Sequence, residues 1–103
     1  MKTHARKQMT VICEAPVMHR ITRVLDKVPV SGYTVFDAHS GKGSEGTWDT
    51  DRMIGDAGRM VMVVSVMSPE QADIAIDRIY EALEPQMGII TIADVEVLRP
   101  ERF

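Results

Sequence analysis

Cysteine is all but missing from this chain: Cys13 stands alone. It can make no internal disulfide, so a reducing, cytoplasmic setting is expected. Long apolar runs are missing too, since no stretch reaches the roughly eighteen residues of a membrane span. The basic residues Lys2, Arg6 and Lys7 lead into no apolar segment of the secretory kind. A soluble chain without direct membrane insertion follows. There is no cationic surplus: a net charge of -3 and a pI near 5.5 argue against a general nucleic-acid binder, which needs a basic face against phosphates. His4, His19 and His39 lack the close paired spacing of a zinc site, so no metal site is expected. No solenoid-type repeat and no low-complexity tail is visible.

What is present suits one domain over residues 1–103. Apolar residues make up 45% of the chain, enough for a modest core that gains from further burial in an oligomer. The chain is organised around a polar loop at about 39–59. Five of the seven glycines (Gly41, Gly43, Gly46, Gly55 and Gly58) fall there, and hydrophobic order resumes only at Met60. A structureless connection of about twenty residues is unusual in a small domain, where loops of about four to six residues are the rule; such loops tend to be functional or disordered.

The flanking segments read as regular elements. Residues 9–14 form a short apolar run around Val11, Ile12 and Cys13, consistent with a buried strand. Pro16 suits the first turn of a helix in which Val17, Ile21, Val24, Leu25 and Val28 recur at helical spacing, and Pro29 ends it. A second strand is expected over 32–36 and a third, apolar on both faces, over 60–67. Ser68-Pro69-Glu70-Gln71 combines a serine cap, a proline at the first helical position and a glutamine three residues on. Behind it Ala72, Ala75, Ile76, Ile79 and Leu83 supply the buried stripe of a second helix. A last strand runs from Ile89, opened by Gly88, to Val97.

The order βαββαβ predicts an α+β, ferredoxin-like fold with the long loop between the second and third strands. Two helices cover one face of a four-stranded sheet, so the second apolar face needs another cover. Other copies of the chain are the common solution.

Gly32-Tyr33-Thr34-Val35, Ser40-Gly41-Lys42-Gly43-Ser44, the turn through Gly88-Ile89-Ile90, and the closing strand from Ala93 to Leu98 followed by Arg99 together resemble the PII signal-transduction superfamily. The similarity looks closest to its PII-like branch, the SbtB and carboxysome-associated proteins, and covers about 8–99. The resemblance implies a homotrimer with adenine-nucleotide sites in clefts between subunits, and a T-loop, here 39–59, that reports ligand state to a partner. Carried over by position, it implies nucleotide binding by Gly32, Tyr33, Thr34, Val35, Gly41, Lys42, Gly43, Ser44, Val63, Ser65, Met87, Gly88, Ile89 and Arg99. Gly41 to Ser44 would wrap phosphates, because glycines allow close backbone approach and successive N–H groups can form an anion-binding nest. Glu45, Thr47, Trp48, Asp49 and Arg52 would face the partner. The implied partner is a bicarbonate or other membrane transporter, or a carbon-fixation component, which would bring the protein to a membrane or carboxysome indirectly.

Two departures from the family pattern stand out, one bearing on the ligand and one on modification. Glu45 stands where relatives carry a basic residue, and a carboxylate there repels a polyphosphate. AMP, ADP or cyclic AMP is therefore expected ahead of ATP, with bicarbonate as a second effector. The loop has no tyrosine, so uridylylation is not expected. Other readings stay open: a bicarbonate-responsive carboxysome-associated protein with nucleotide secondary, a ligand-free connection, or a small ferredoxin-like enzyme using Asp49, Asp51 and Asp56. The enzyme reading has no fixed carboxylate geometry behind it, and a Cys13–His39 nucleophile pair would draw on a thiol in an apolar strand, usually inert. No catalytic residue is assigned.

Overall fold

A computed structural model describes residues 1–43, 46–49, 58–83 and 88–103, Arg102 by its backbone alone. The elements are strand β1 (His4–Glu14), helix α1 (Ala15–Lys27), strands β2 (Thr34–Asp37), β3 (Ser40–Gly43), β4 (Gly46–Asp49) and β5 (Met60–Met67), helix α2 (Pro69–Ala82) and strand β6 (Gly88–Val97). A 3-10 turn, Pro100–Arg102, follows. Strands β2, β5, β1 and β6 lie in that order in one antiparallel sheet, the ferredoxin-like arrangement expected from the sequence.

The sheet's pleat sorts the apolar residues into two sets. Along β5, Val61, Val63, Ser65 and Met67 are buried, while Met60, Met62, Val64 and Val66 are only half-buried. The buried set packs with Met9, Val11 and Cys13 of β1 under Ala15, Val17, Ile21 and Leu25 of α1 and Ala72, Ala75 and Ile79 of α2. Fully burying a Leu or Ile side chain stabilises by roughly 1.5–3 kcal/mol, so this layer dominates the stability of the protomer.

The opposite face is read off the register. One row runs Phe36, Met62, Ile12, Ile89, and the next Thr34, Val64, Thr10, Thr91. Val66, Gln8 and Ala93 follow. No helix of the protomer lies on this face among the described residues, and Phe36 and Ile89 are exposed at 48% and 61%.

Two local devices fix the helices. Pro16 sits in the first turn of α1, where its missing N–H is harmless. At α2 the expected capping box is present: the Gln71 N–H donates to Ser68 Oγ at 3.1 Å, and the Ser68 N–H donates to Gln71 Oε1 at 3.0 Å. The amide nitrogen of the Gln71 side chain then donates to the Pro29 carbonyl at 2.9 Å, tying the helix start to the segment after α1.

The structure differs from the sequence reading in two places. Strand β1 begins at His4 rather than Met9, because its polar first half pairs with the far end of β6 through Lys7–Asp94 and Thr3–Glu96 contacts. The long loop is not structureless, since β3 and β4 form a separate two-stranded sheet inside it. Glycine-rich segments have weak strand propensity, so pairing, not propensity, makes this hairpin.

Candidate functional site

The loop leaves the sheet at Asp37 and returns at Arg59, and three contacts close its base. The Arg59 guanidinium pairs with the Asp37 carboxylate. The Ala38 N–H donates to the Met60 carbonyl at 2.9 Å, and the Ala15 N–H donates to the Arg59 carbonyl at 2.7 Å. The loop base, the end of β1 and the start of α1 are thereby one unit. Sequence reasoning missed Asp37 and Arg59 as a closing pair, since two residues 22 apart carry no local signal of their meeting.

Within the loop, Gly41 pairs with Trp48 and Lys42 with Thr47. The half-buried Trp48 indole lies over Gly41 so closely that a Cβ there would stand 2.4 Å from Cζ2. Gly41 is thus the seat of the tryptophan. Gly43 differs, because a Cβ there meets nothing within 4 Å. Gly41, Lys42 and Gly43 are extended, not folded into the expected nest; among the described glycines positive φ is confined to Gly46 and Gly58.

Gly32 and Tyr33 precede β2, and Thr34 and Val35 open it, paired with Val64 and Val63. This segment is held from three directions. The Ser65 hydroxyl donates to the Gly32 carbonyl at 2.7 Å. The Tyr33 hydroxyl donates to Asp26 on α1 at 3.0 Å, and that hydrogen bond, first among the causes, raises the phenol above its ordinary pKa. Gln71 holds Pro29, and the Val30 N–H donates to the Leu25 carbonyl at 3.0 Å. Val63 and Ser65 have buried side chains facing the helices.

Gly88 and Ile89 begin β6 beside the loop base, in the row Asp37, Val61, Cys13, Gly88. A Cβ on Gly88 would stand 2.9 Å from the Ile12 carbonyl oxygen, so two backbones approach closely here. Arg99 is exposed beyond the other end of β6. The rise of about 3.3 Å per residue puts Val97 roughly 30 Å from Gly88, and strand spacing near 4.8 Å puts the β2 and β6 edges roughly 14 Å apart. One protomer therefore brings Gly41, Lys42 and Gly43 to the loop and Arg99 to a distant corner. Ser44, Glu45, Arg52 and Met87 lie outside the described residues, as do Asp51 and Asp56; Thr47, Trp48 and Asp49 are in β4.

Cys13 is fully buried, and burial, with Glu14 as a lesser cause, pushes its thiol up to about 11. That holds it as a neutral core residue. Among the described residues no group of three or more His, Cys, Asp or Glu could hold a metal ion, and no helix is long and apolar enough to cross a membrane.

Comparisons with known proteins agree with this architecture. No curated protein sequence matches the chain. The solved structure of CPII, a nitrogen regulatory PII-like protein from Thiomonas intermedia K12, bound to ADP, AMP and bicarbonate, superposes with a TM-score of 0.88 at 26% identity, covering 99% of this chain and 96% of that one. The same protein bound to ADP and bicarbonate gives 0.84 at 26% identity, over 99% and 97%. A candidate PII-like signalling protein from Thermus thermophilus gives 0.79 at 25% identity, over 100% and 99%. The family profile described as Nitrogen regulatory protein P-II matches residues 6–102. With that match across nearly its whole length, the chain belongs to the nitrogen regulatory protein P-II family.

Proposed function

We propose that this protein is a trimeric, non-catalytic sensor of adenine nucleotide, with bicarbonate as a second effector, that signals through the loop at 39–59. The observation that carries the reading is the likeness to CPII bound to ADP, AMP and bicarbonate, over 99% of this chain. The separation of the expected ligand residues supports a shared site. Gly41, Lys42 and Gly43 and the Gly88 turn lie at one end of the sheet, Arg99 at the other, so a neighbouring copy is needed to unite them. The bare apolar face around Phe36, Met62, Val64 and Ile89 supplies a surface for that neighbour.

In this reading Gly32, Tyr33, Thr34 and Val35, with Val63 and Ser65 behind them, receive the adenine and ribose. Gly41, Lys42, Gly43 and Ser44 approach the phosphates, Met87, Gly88 and Ile89 line the turn, and Arg99 reaches in from the next subunit. Glu45 disfavours a third phosphate, which leaves AMP, ADP or cyclic AMP ahead of ATP. Ligand can shift the loop only by its differential affinity for two loop states. The hairpin carrying Thr47, Trp48 and Asp49, with Glu45 and Arg52, would then meet a transporter or carbon-fixation protein of the SbtB or carboxysome-associated type.

Calorimetric titration with AMP, cyclic AMP, ADP and ATP, each with and without bicarbonate, tests this. Micromolar binding is expected, weakened in Gly43→Ala, whose added methyl meets no protein atom and so reports the ligand rather than the fold. Absence of binding by every nucleotide, with bicarbonate present, overturns the reading.

A further inference from the structure

Ser65 is the one polar residue among the buried side chains of the described core. It is 3% exposed, in a strand whose other buried members are Val61, Val63 and Met67. Burying a hydroxyl is unfavourable unless it finds a partner, and a valine would pack the same position without that demand. The partner is the Gly32 carbonyl at 2.7 Å, 33 residues away in sequence and just ahead of β2. Glycine has no side chain to fix its own conformation, so this peptide would otherwise explore a wide range.

We propose that Ser65 is a positioning residue for the nucleotide site: its hydroxyl sets the Gly32 peptide plane and with it the main chain of Gly32, Tyr33 and Thr34. The inference rests on the adenine-nucleotide reading above and deepens it. The side chain of Ser65 is buried toward the helices, with its hydroxyl committed to the Gly32 carbonyl. Its effect passes through one carbonyl. The neighbouring contacts hold the ends of the same segment, Gln71 at Pro29 and Asp26 at the Tyr33 hydroxyl, but neither reaches the Gly32 peptide. Without Ser65 the segment stays anchored at both ends and is free to rotate in the middle. Nucleotide would then have to order it on binding, and affinity falls by that ordering.

The experiment compares wild type, Ser65→Ala, Ser65→Thr and Val61→Ala by AMP and ADP titration, thermal melting and amide exchange of unliganded protein. Val61 is fully buried on the same strand and face but is paired with Asp37 and Cys13, away from Gly32. Ser65→Ala is expected to weaken nucleotide roughly 5–10-fold, the size of one lost neutral hydrogen bond, and to speed exchange selectively at residues 32–34. Ser65→Thr, which keeps the donor, restores both. Val61→Ala lowers the melting temperature with affinity unchanged. Wild-type affinity in Ser65→Ala overturns the inference while leaving the sensor reading intact, and so does an equal affinity loss in Val61→Ala. Wild-type protein that binds neither nucleotide removes both.

Discussion

At the scale of single residues, Gly41 and Gly88, both with crowded surroundings, do different work. Gly41→Ala would drive a methyl into the Trp48 indole. Trp48 is the only tryptophan, so its emission reports this contact without labelling. The substitution is expected to shift emission to the red and leave the unfolding midpoint near wild type, because the hairpin shares no ladder with the main sheet. An unchanged spectrum would show that the indole does not rest on Gly41. Gly88→Ala meets the Ile12 carbonyl, which is backbone and cannot step aside. A loss of about 1–3 kcal/mol in denaturant unfolding is expected, the range for overpacking a close contact. Cys13 adds a pH dependence. Its thiol ionises near 11 when folded against 9.0 for the ordinary value. Because the folded protein holds this proton more tightly than the unfolded chain does, the unfolded chain gains stability relative to it as pH climbs from 9 through about 11. Alkylation at pH 8 should be slow in native protein and fast in denaturant.

At the scale of elements, strand β5 was legible to the residue, because an unbroken apolar run from Met60 to Met67 between two polar boundaries leaves no other reading. The α2 start was equally legible, because a capping box is a local pattern. Its removal in Ser68→Ala is expected to lower stability by about 1 kcal/mol, measured by thermal or urea unfolding. The β3–β4 hairpin was hidden, since its glycines carry no strand signal and its Gly41–Trp48 contact joins residues on opposite strands. The site was half legible for a related reason. Motifs pointed to Gly32 and Gly43 as candidates, but the Asp37–Arg59 and Ser65–Gly32 contacts exist only once distant segments meet. Gln71 separates two jobs that sequence cannot tell apart. A glutamate at this position would still cap the helix, yet it has no hydrogen to give the Pro29 carbonyl. Gln71→Glu should therefore keep the helix content seen by circular dichroism while speeding amide exchange at residues 30 and 31.

At the scale of the whole molecule, the pleat decides which residues wait for a partner. Phe36, Met62, Ile12 and Ile89 form an apolar row with no described helix of the same protomer above it. Wild-type protein is expected to sediment as a trimer, and Phe36→Asp as a monomer with its secondary structure retained; a monomeric wild type would overturn the proposed assembly. The distance between the loop and Arg99 carries a genetic consequence. In the proposed shared site, lesions at the two places would fall on different subunits. Gly43→Ala protein and Arg99→Ala protein, each deficient alone, should complement when unfolded and refolded together. Random exchange of subunits pairs an undamaged loop with an undamaged arginine at on the order of a quarter of the interfaces, and nucleotide binding should return in that proportion.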